Sequence, residues 1–123
     1  MPHHRLLVVD DSNVIRRRIE RANDVPEIEV IGAARDGLEA LEMHAQLHPT
    51  LVTMDLTMPQ MGGTECVAQL AQRDPQLRIL VISALADKLT AIEALEKGAS
   101  GFLCKPFTDQ QLNEALRKLI GVE

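Results

Sequence analysis

Five short apolar runs punctuate the chain: Leu6–Val9, Glu29–Ala33, Leu51–Met54, Ile79–Ser83 and Phe102–Cys104. Between them apolar residues recur at intervals of three and four, the period of a helix with one buried face. Ile15, Ile19 and Ala22 mark a first helix, and Leu38, Leu41 and Ala45 a second. Cys66, Val67 and Leu70 mark a third, Leu89, Ile92 and Leu95 a fourth, and Leu112, Leu116 and Leu119 a fifth. The strand runs are continuously apolar rather than alternating, as strands are when helices cover both faces of a sheet. Strand then helix, five times over, predicts right-handed crossovers and a parallel, doubly wound α/β sheet. The turn residues agree: Asp36-Gly37 opens the second helix, Gly98 closes the fourth, and Pro49, Pro75 and Pro106 fall between elements. No linker, repeat or low-complexity tract interrupts residues 1–123, so one domain is expected.

Composition narrows the core and the partners. There are two Phe and no Tyr or Trp, so the core is aliphatic. A net charge of −5 argues against direct nucleic-acid binding, which needs a basic face. Arg16, Arg17, Arg18 and Arg21 do cluster; a solvated helix face accounts for them, with a docking patch for an acidic partner as the alternative. Cys66 and Cys104 have neither zinc-site nor redox-motif spacing and read as buried free thiols. His3 and His4 read as part of a mobile chain end rather than a metal site. With no apolar leader segment and no apolar run near membrane-spanning length, no membrane association is expected and the cytoplasm is the expected compartment.

The chemistry gathers around Leu51–Gly63. There an apolar run ends on one carboxylate, Asp55, and a Met58-Pro59 step and a Gly62-Gly63 pair then break regular structure. Ligands of open α/β sheets bind at the carboxyl ends of the strands. Asp10 and Asp11 follow the first run, Asp55 the third, Ser83 ends the fourth, and Lys105-Pro106 follows the fifth. Singly, each has an ordinary explanation: Asp11 or Ser12 as a helix N-cap, Asp55 as a turn residue, Ser83 and Lys105 as incidental. Together, three acids, one hydroxyl and one amine converge from four strand ends.

Such a cluster needs positive charge. Two carboxylates about 4 Å apart repel by roughly 4 kcal/mol at an effective dielectric of about 20. Lys105 supplies one charge and a hard divalent cation two. Magnesium suits the set, since it takes oxygen ligands and shares carboxylates with phosphate oxygens. A phosphoryl group at Asp55 would then meet magnesium on Asp10 or Asp11, the Lys105 ammonium and the Ser83 hydroxyl. Phosphoryl transfer asks mainly for positioning and charge neutralisation, and a carboxylate nucleophile needs no general base.

Val8-Val9-Asp10-Asp11-Ser12, Met54-Asp55-Leu56-Thr57-Met58-Pro59, Ser83 and Lys105-Pro106-Phe107 together closely resemble the receiver domain of two-component response regulators, of the CheY-like single-domain type. The resemblance covers almost the whole chain. It implies a five-stranded sheet of order 2-1-3-4-5 between two layers of five helices, a flavodoxin-like three-layer sandwich. It implies that Asp55 accepts a phosphoryl group from the phosphohistidine of a sensor histidine kinase or histidine phosphotransfer domain. It also implies that Asp10, Asp11, Asp55 and the backbone carbonyl of Thr57 organise Mg2+. Ser83, Ala84 and Lys105 would bind the phosphoryl oxygens, with Pro106 and Pro59 structural at the site. Phe102 takes the position of the switch aromatic, with simple core filling as the alternative. The switch would alter the face of the fourth helix, fifth strand and fifth helix, where a downstream protein effector docks.

Two departures stand out. Phe102 lacks the hydroxyl of the Tyr often found at the switch position, so readout there would rest on packing. Leu85 and Thr57 lie where family members vary the lifetime of the phosphoryl group. The receiver is expected to act as a signalling switch rather than a turnover enzyme, with chemotaxis among its settings. A receiver domain cut from a longer regulator, or a phosphorelay intermediate, would look the same. An aspartyl-phosphate phosphatase is disfavoured because Thr57 stands where those enzymes carry a second Asp. A flavin carrier is disfavoured by Asp-Asp-Ser after the first strand and the scarcity of aromatics.

Overall fold

Neighbouring residues of the first strand bury into opposite cores, Leu7 and Val9 into one and Leu6 and Val8 into the other. The structure, a computed structural model, describes residues 3–56, 58 and 62–121, the side chain of Leu85 excepted. In chain order the elements are β1 (His4–Val9), α1 (Asn13–Ala22), β2 (Ile28–Ala34), α2 (Gly37–Leu47), β3 (Leu51–Asp55), α3 (Gly63–Arg73), β4 (Arg78–Ala84), α4 (Lys88–Glu96), β5 (Gly101–Lys105) and α5 (Asp109–Ile120). A 3-10 turn over Leu85–Asp87 leads into α4. All strand pairs are parallel, in the order β2-β1-β3-β4-β5, as expected. Each strand runs one or two residues past its apolar run, because ladder hydrogen bonds do not require an apolar side chain.

The two faces of the sheet carry separate aliphatic cores. Val52, Met54, Ile79 and Val81 pack with Leu41, Val67, Leu70 and Ala94 from α2, α3 and α4. Leu51, Leu80 and Ile82 pack with Ile19, Leu112 and Leu116 from α1 and α5. Helix starts follow the expected chemistry: the Ser12 hydroxyl accepts from the Ile15 N–H at 3.3 Å and the Asp36 carboxylate from the Glu39 N–H at 2.8 Å. Thr108 and Gln111 form a reciprocal capping box on α5.

Several expectations are corrected. On α4 the large residues face outward: Leu89 is 82% exposed, and Ile92 and Leu95 are also exposed, while Ala91 and Ala94 are buried. Small residues let α4 approach the sheet and α3 closely. On α2, Leu38 and Ala45 are exposed and Ala40, Leu41 and His44 form the inner face. His44 Nε2 lies 3.1 Å from Asp74 Oδ2 at the end of α3. The arginines of α1 are not one solvated face, because Arg16 and Arg18 are engaged while Arg17 and Arg21 are exposed. His4 belongs to β1, with its N–H donating to the Glu27 carbonyl at 2.9 Å. Cys66 is fully buried, and that burial pushes its thiol up to about 12. Cys104 is only half-buried. No helix among the described residues is long and apolar enough to cross a membrane.

Candidate functional site

β1 and β3 are adjacent, and Val9 pairs with Met54, so Asp10 and Asp55 leave neighbouring strands at the same level. Both are buried, at 1% and 3% exposure, which is costly for carboxyl groups without compensation. Asp10 is fixed from several directions. Its N–H donates to the Ala34 carbonyl at 3.1 Å, tying β1 to the end of β2. Its Oδ1 accepts from the Ser12 N–H at 2.8 Å, and its carbonyl accepts from Arg16 Nη1 at 2.6 Å. Sequence reasoning missed this role of Arg16, since a guanidinium returning to a strand end has no local signature.

Asp55 closes β3, and α3 is seated directly on the backbone around it. The Leu56 N–H donates to the Ile82 carbonyl at 3.3 Å, and the Gly63 N–H donates to the Leu56 carbonyl at 3.2 Å. A Cβ at Gly63 would lie 2.3 Å from the Asp55 carbonyl oxygen and 2.5 Å from Leu56 Cα. Gly63 is therefore a steric requirement of the site. The Gly62-Gly63 pair was legible only as a chain break; that one glycine starts a helix pressed against a strand end required the tertiary contact.

Lys105 ends β5, and its Nζ stands 3.2 Å from Asp55 Oδ1 and 3.8 Å from Asp10 Oδ2. Asp10 Oδ2 is buried and has no hydrogen-bond partner among the described residues. Burial raises the Asp10 carboxyl above its ordinary value, opposed by the Ser12 N–H and then by the Lys105 charge, while Asp11 pushes it further up. Asp10, Asp11 and the β3 acid each present a carboxylate oxygen within 4.8 Å of the others, Asp11 being exposed. Three hard oxygen donors, one of them orphaned in a buried position, fit a small divalent cation of the magnesium type.

The remaining site candidates are placed by register. Asp55 pairs with Ile82, so Ser83 and Ala84 continue β4 past the acid, and Ala84 pairs with Lys105. Ser83 is buried, its hydroxyl 3.4 Å from the Ala84 carbonyl. Pro106 follows Lys105 through a cis peptide bond. Phe102 pairs with Val81, three residues back along β5, and is 38% exposed; it stands on the flank of the sheet rather than among the carboxylates. Thr57 and Pro59, expected as a carbonyl ligand and a structural residue, lie outside the described residues, as does the Leu85 side chain.

Residues 6–117 match the family model of the response regulator receiver domain. The chain is 37% identical over 114 residues to the chemotaxis protein CheY of Listeria monocytogenes, covering 93% of this chain and 96% of that protein. Among solved structures, the response regulator domain of Thermotoga maritima CheB superimposes with a TM-score of 0.84 at 36% identity, covering 95% of this chain and 93% of that one. The CheX-CheY-BeF3-Mg2+ complex from Borrelia burgdorferi gives 0.88 at 28% identity, covering 95% and 89%.

Proposed function

Because the chain belongs to the response regulator receiver domain family, we propose that Asp55 is its phosphoacceptor, charged from the phosphohistidine of a sensor kinase or histidine phosphotransfer domain. The observation that carries this reading is the buried Asp55 carboxylate, 3.2 Å from the Lys105 ammonium and grouped with Asp10 and Asp11. An Asp55 oxygen forms the new bond to phosphorus as the phosphorus–nitrogen bond breaks and the imidazole nitrogen keeps the electron pair. Lys105 neutralises one phosphoryl oxygen, and Ser83 donates a hydrogen bond to another beside Ala84. Asp10, Asp11 and Asp55, with the Thr57 carbonyl that the family resemblance adds, would hold magnesium, which would supply charge neutralisation for the transferring group. The Borrelia relative's complex with magnesium and a beryllium fluoride supports that assignment by analogy.

Receiver domains interact with kinases and effectors, and the same reading takes residues 1–123 as a single phosphoacceptor domain that signals by exposing an altered face. The outward-facing Leu89, Ile92 and Leu95, with Phe102 beside them in sequence order on β5, support an effector surface on α4, β5 and α5. Chemotaxis is the setting that the CheY relatives favour. The test is incubation with acetyl phosphate or phosphoramidate and magnesium, reading the intact mass. A gain of one phosphoryl group in the wild type, lost in Asp55→Ala and on omitting magnesium, is expected. The same gain in Asp55→Ala sinks the assignment.

A further inference from the structure

Lys105 is aimed at Asp55 from the last position of a strand, and the segment just beyond it is gripped from α1. Arg18 donates through Nη2 to the Phe107 carbonyl, and its guanidinium lies over the Phe107 ring, 4.5 Å from the centroid. The same nitrogen stands 3.5 Å from Asp109 Oδ1 at the start of α5. Phe107 is itself buried, packed in the core shared by α1, α5 and the sheet. One planar cation thus holds the backbone, the ring and the following helix start, two residues from the catalytic ammonium. A guanidinium suits that task because its fork donates in fixed directions while its face stacks on an aromatic ring. The helix that carries Arg18 is also the one anchored to Asp10, through the Ser12 N–H and Arg16.

We propose that Arg18 is a positioning residue that clamps Phe107 and so keeps the Lys105 ammonium directed at Asp55. The proposal rests on the receiver reading only for its consequence in phosphorylation, since the placement of Lys105 can be read without phosphorylation. Lys105 sits at the junction between β5 and the clamped segment, so releasing Phe107 frees the backbone that sets the direction of its side chain. Arg17 and Arg21, exposed on the same helix, make no such contact and serve as internal controls.

The full chain labelled with 13C and 15N in its lysines carries four such residues, and the Lys105 ε-signals are identified by their loss in Lys105→Arg. In Arg18→Met, which retains an apolar stem but no donor, the Lys105 signal should move toward those of exposed Lys88 and Lys97. The initial rate of phosphoryl incorporation from acetyl phosphate should fall about tenfold, the scale of one lost charge-assisted hydrogen bond. Arg18→Lys keeps a cation near the ring and should show a smaller change in both readouts; Arg17→Met should show none. An unmoved Lys105 signal in folded Arg18→Met overturns the proposal, whatever the rate. Should Arg18→Met not fold, Arg18→Lys must itself displace the signal, or the proposal fails. A wild type that gains no phosphoryl mass overturns the receiver reading of Asp55, and the lysine spectrum then still decides the role of Arg18.

Discussion

Gly63 and Asp55 are in contact through backbone alone: the first residue of α3 lies where a Cβ would come within 2.3 Å of the Asp55 carbonyl oxygen. That contact involves strand backbone, which cannot rotate aside as a flexible side chain can. Gly63→Ala should therefore push α3 away from β3, at a cost of about 1–3 kcal/mol or somewhat more. Gly62→Ala is the matched control, since a Cβ there meets nothing within 4 Å among the described residues and the residue has an ordinary φ of −63°. Its cost should be at most about 1 kcal/mol, from a poorer N-cap. Denaturant melts of the two variants decide this, and equal losses would remove the steric argument. Phosphoryl incorporation should slow in Gly63→Ala and not in Gly62→Ala.

Asp10 gives a prediction whose sign depends on the metal. Burial raises its carboxyl above the ordinary value of 3.8, so within that window the folded chain holds a proton that the unfolded chain has released. Stability linked to this group is therefore greatest below the window, falls as pH rises through it, and stays lost above it. Without magnesium, Asp10→Asn should melt higher than the wild type at neutral pH, by about 3–6 °C for about 1 kcal/mol. The gap should widen as pH rises from the ordinary carboxylate range toward neutrality. Adding magnesium should raise the wild-type melting temperature and leave Asp10→Asn nearly unchanged, reversing the order. A variant that melts lower in both conditions would mean that Asp10 stabilises the fold as a bare carboxylate.

The parallel, doubly wound class and the strand-end cluster were legible because both depend on local signals that add, whereas the strand order came only with the family resemblance. Continuous apolar runs such as Leu51–Met54 mark strands buried on both sides, and strand ends in a doubly wound sheet meet along one edge. Asp10, Asp11, Asp55 and Lys105 could therefore be grouped from chain order alone. What stayed hidden depends on which side of a helix faces inward. The Leu89–Ile92–Leu95 spacing is a sound helix signal, but alanines at 91 and 94 occupy the inner face because the space between α4 and the sheet is narrow. Likewise the arginine cluster on α1 reads as a solvated face until α5 and the Lys105 segment are placed beside it. Arg18 then acquires a ring, a carbonyl and a carboxylate from residues about ninety positions away.

Thr53 illustrates a buried polar group that the fold does not satisfy. It lies mid-strand in β3, paired with Val8 and Leu80, and its hydroxyl has no hydrogen-bond partner among the described residues. Leaving a buried hydroxyl unmade costs about 1–3 kcal/mol, whereas an apolar group of the same shape carries no such penalty. Thr53→Val preserves the branched shape that a strand favours. It should raise stability by about 1 kcal/mol in urea melts without altering phosphoryl incorporation. A loss of stability would mean that the hydroxyl is satisfied in solution.

The outward apolar stripe of α4 separates a binding role from a structural one. Leu89 is 82% exposed, so replacing it by Gln removes little buried area, whereas Ile92 and Leu95, 43% and 40% exposed, still bury more than half of their surface. Leu89→Gln should move stability by no more than about 0.5 kcal/mol, and Ile92→Gln should cost about 1 kcal/mol. Ala94 is fully buried in the core shared with α3, and Ala94→Leu should cost about 1–3 kcal/mol by overpacking. The inner alanines thus report on the fold and the outer leucines on the partner. If α4, β5 and α5 form the effector surface, Leu89→Gln and Ile92→Gln should weaken capture of a partner by the phosphorylated protein while the phosphoryl gain stays at the wild-type value and, for Leu89→Gln, the melt does too. The comparison sample is Asp55→Ala, which should capture no more than background. Capture that survives both Gln substitutions unchanged would move the effector surface off the α4 stripe, leaving the phosphoacceptor assignment to stand on the mass measurement alone.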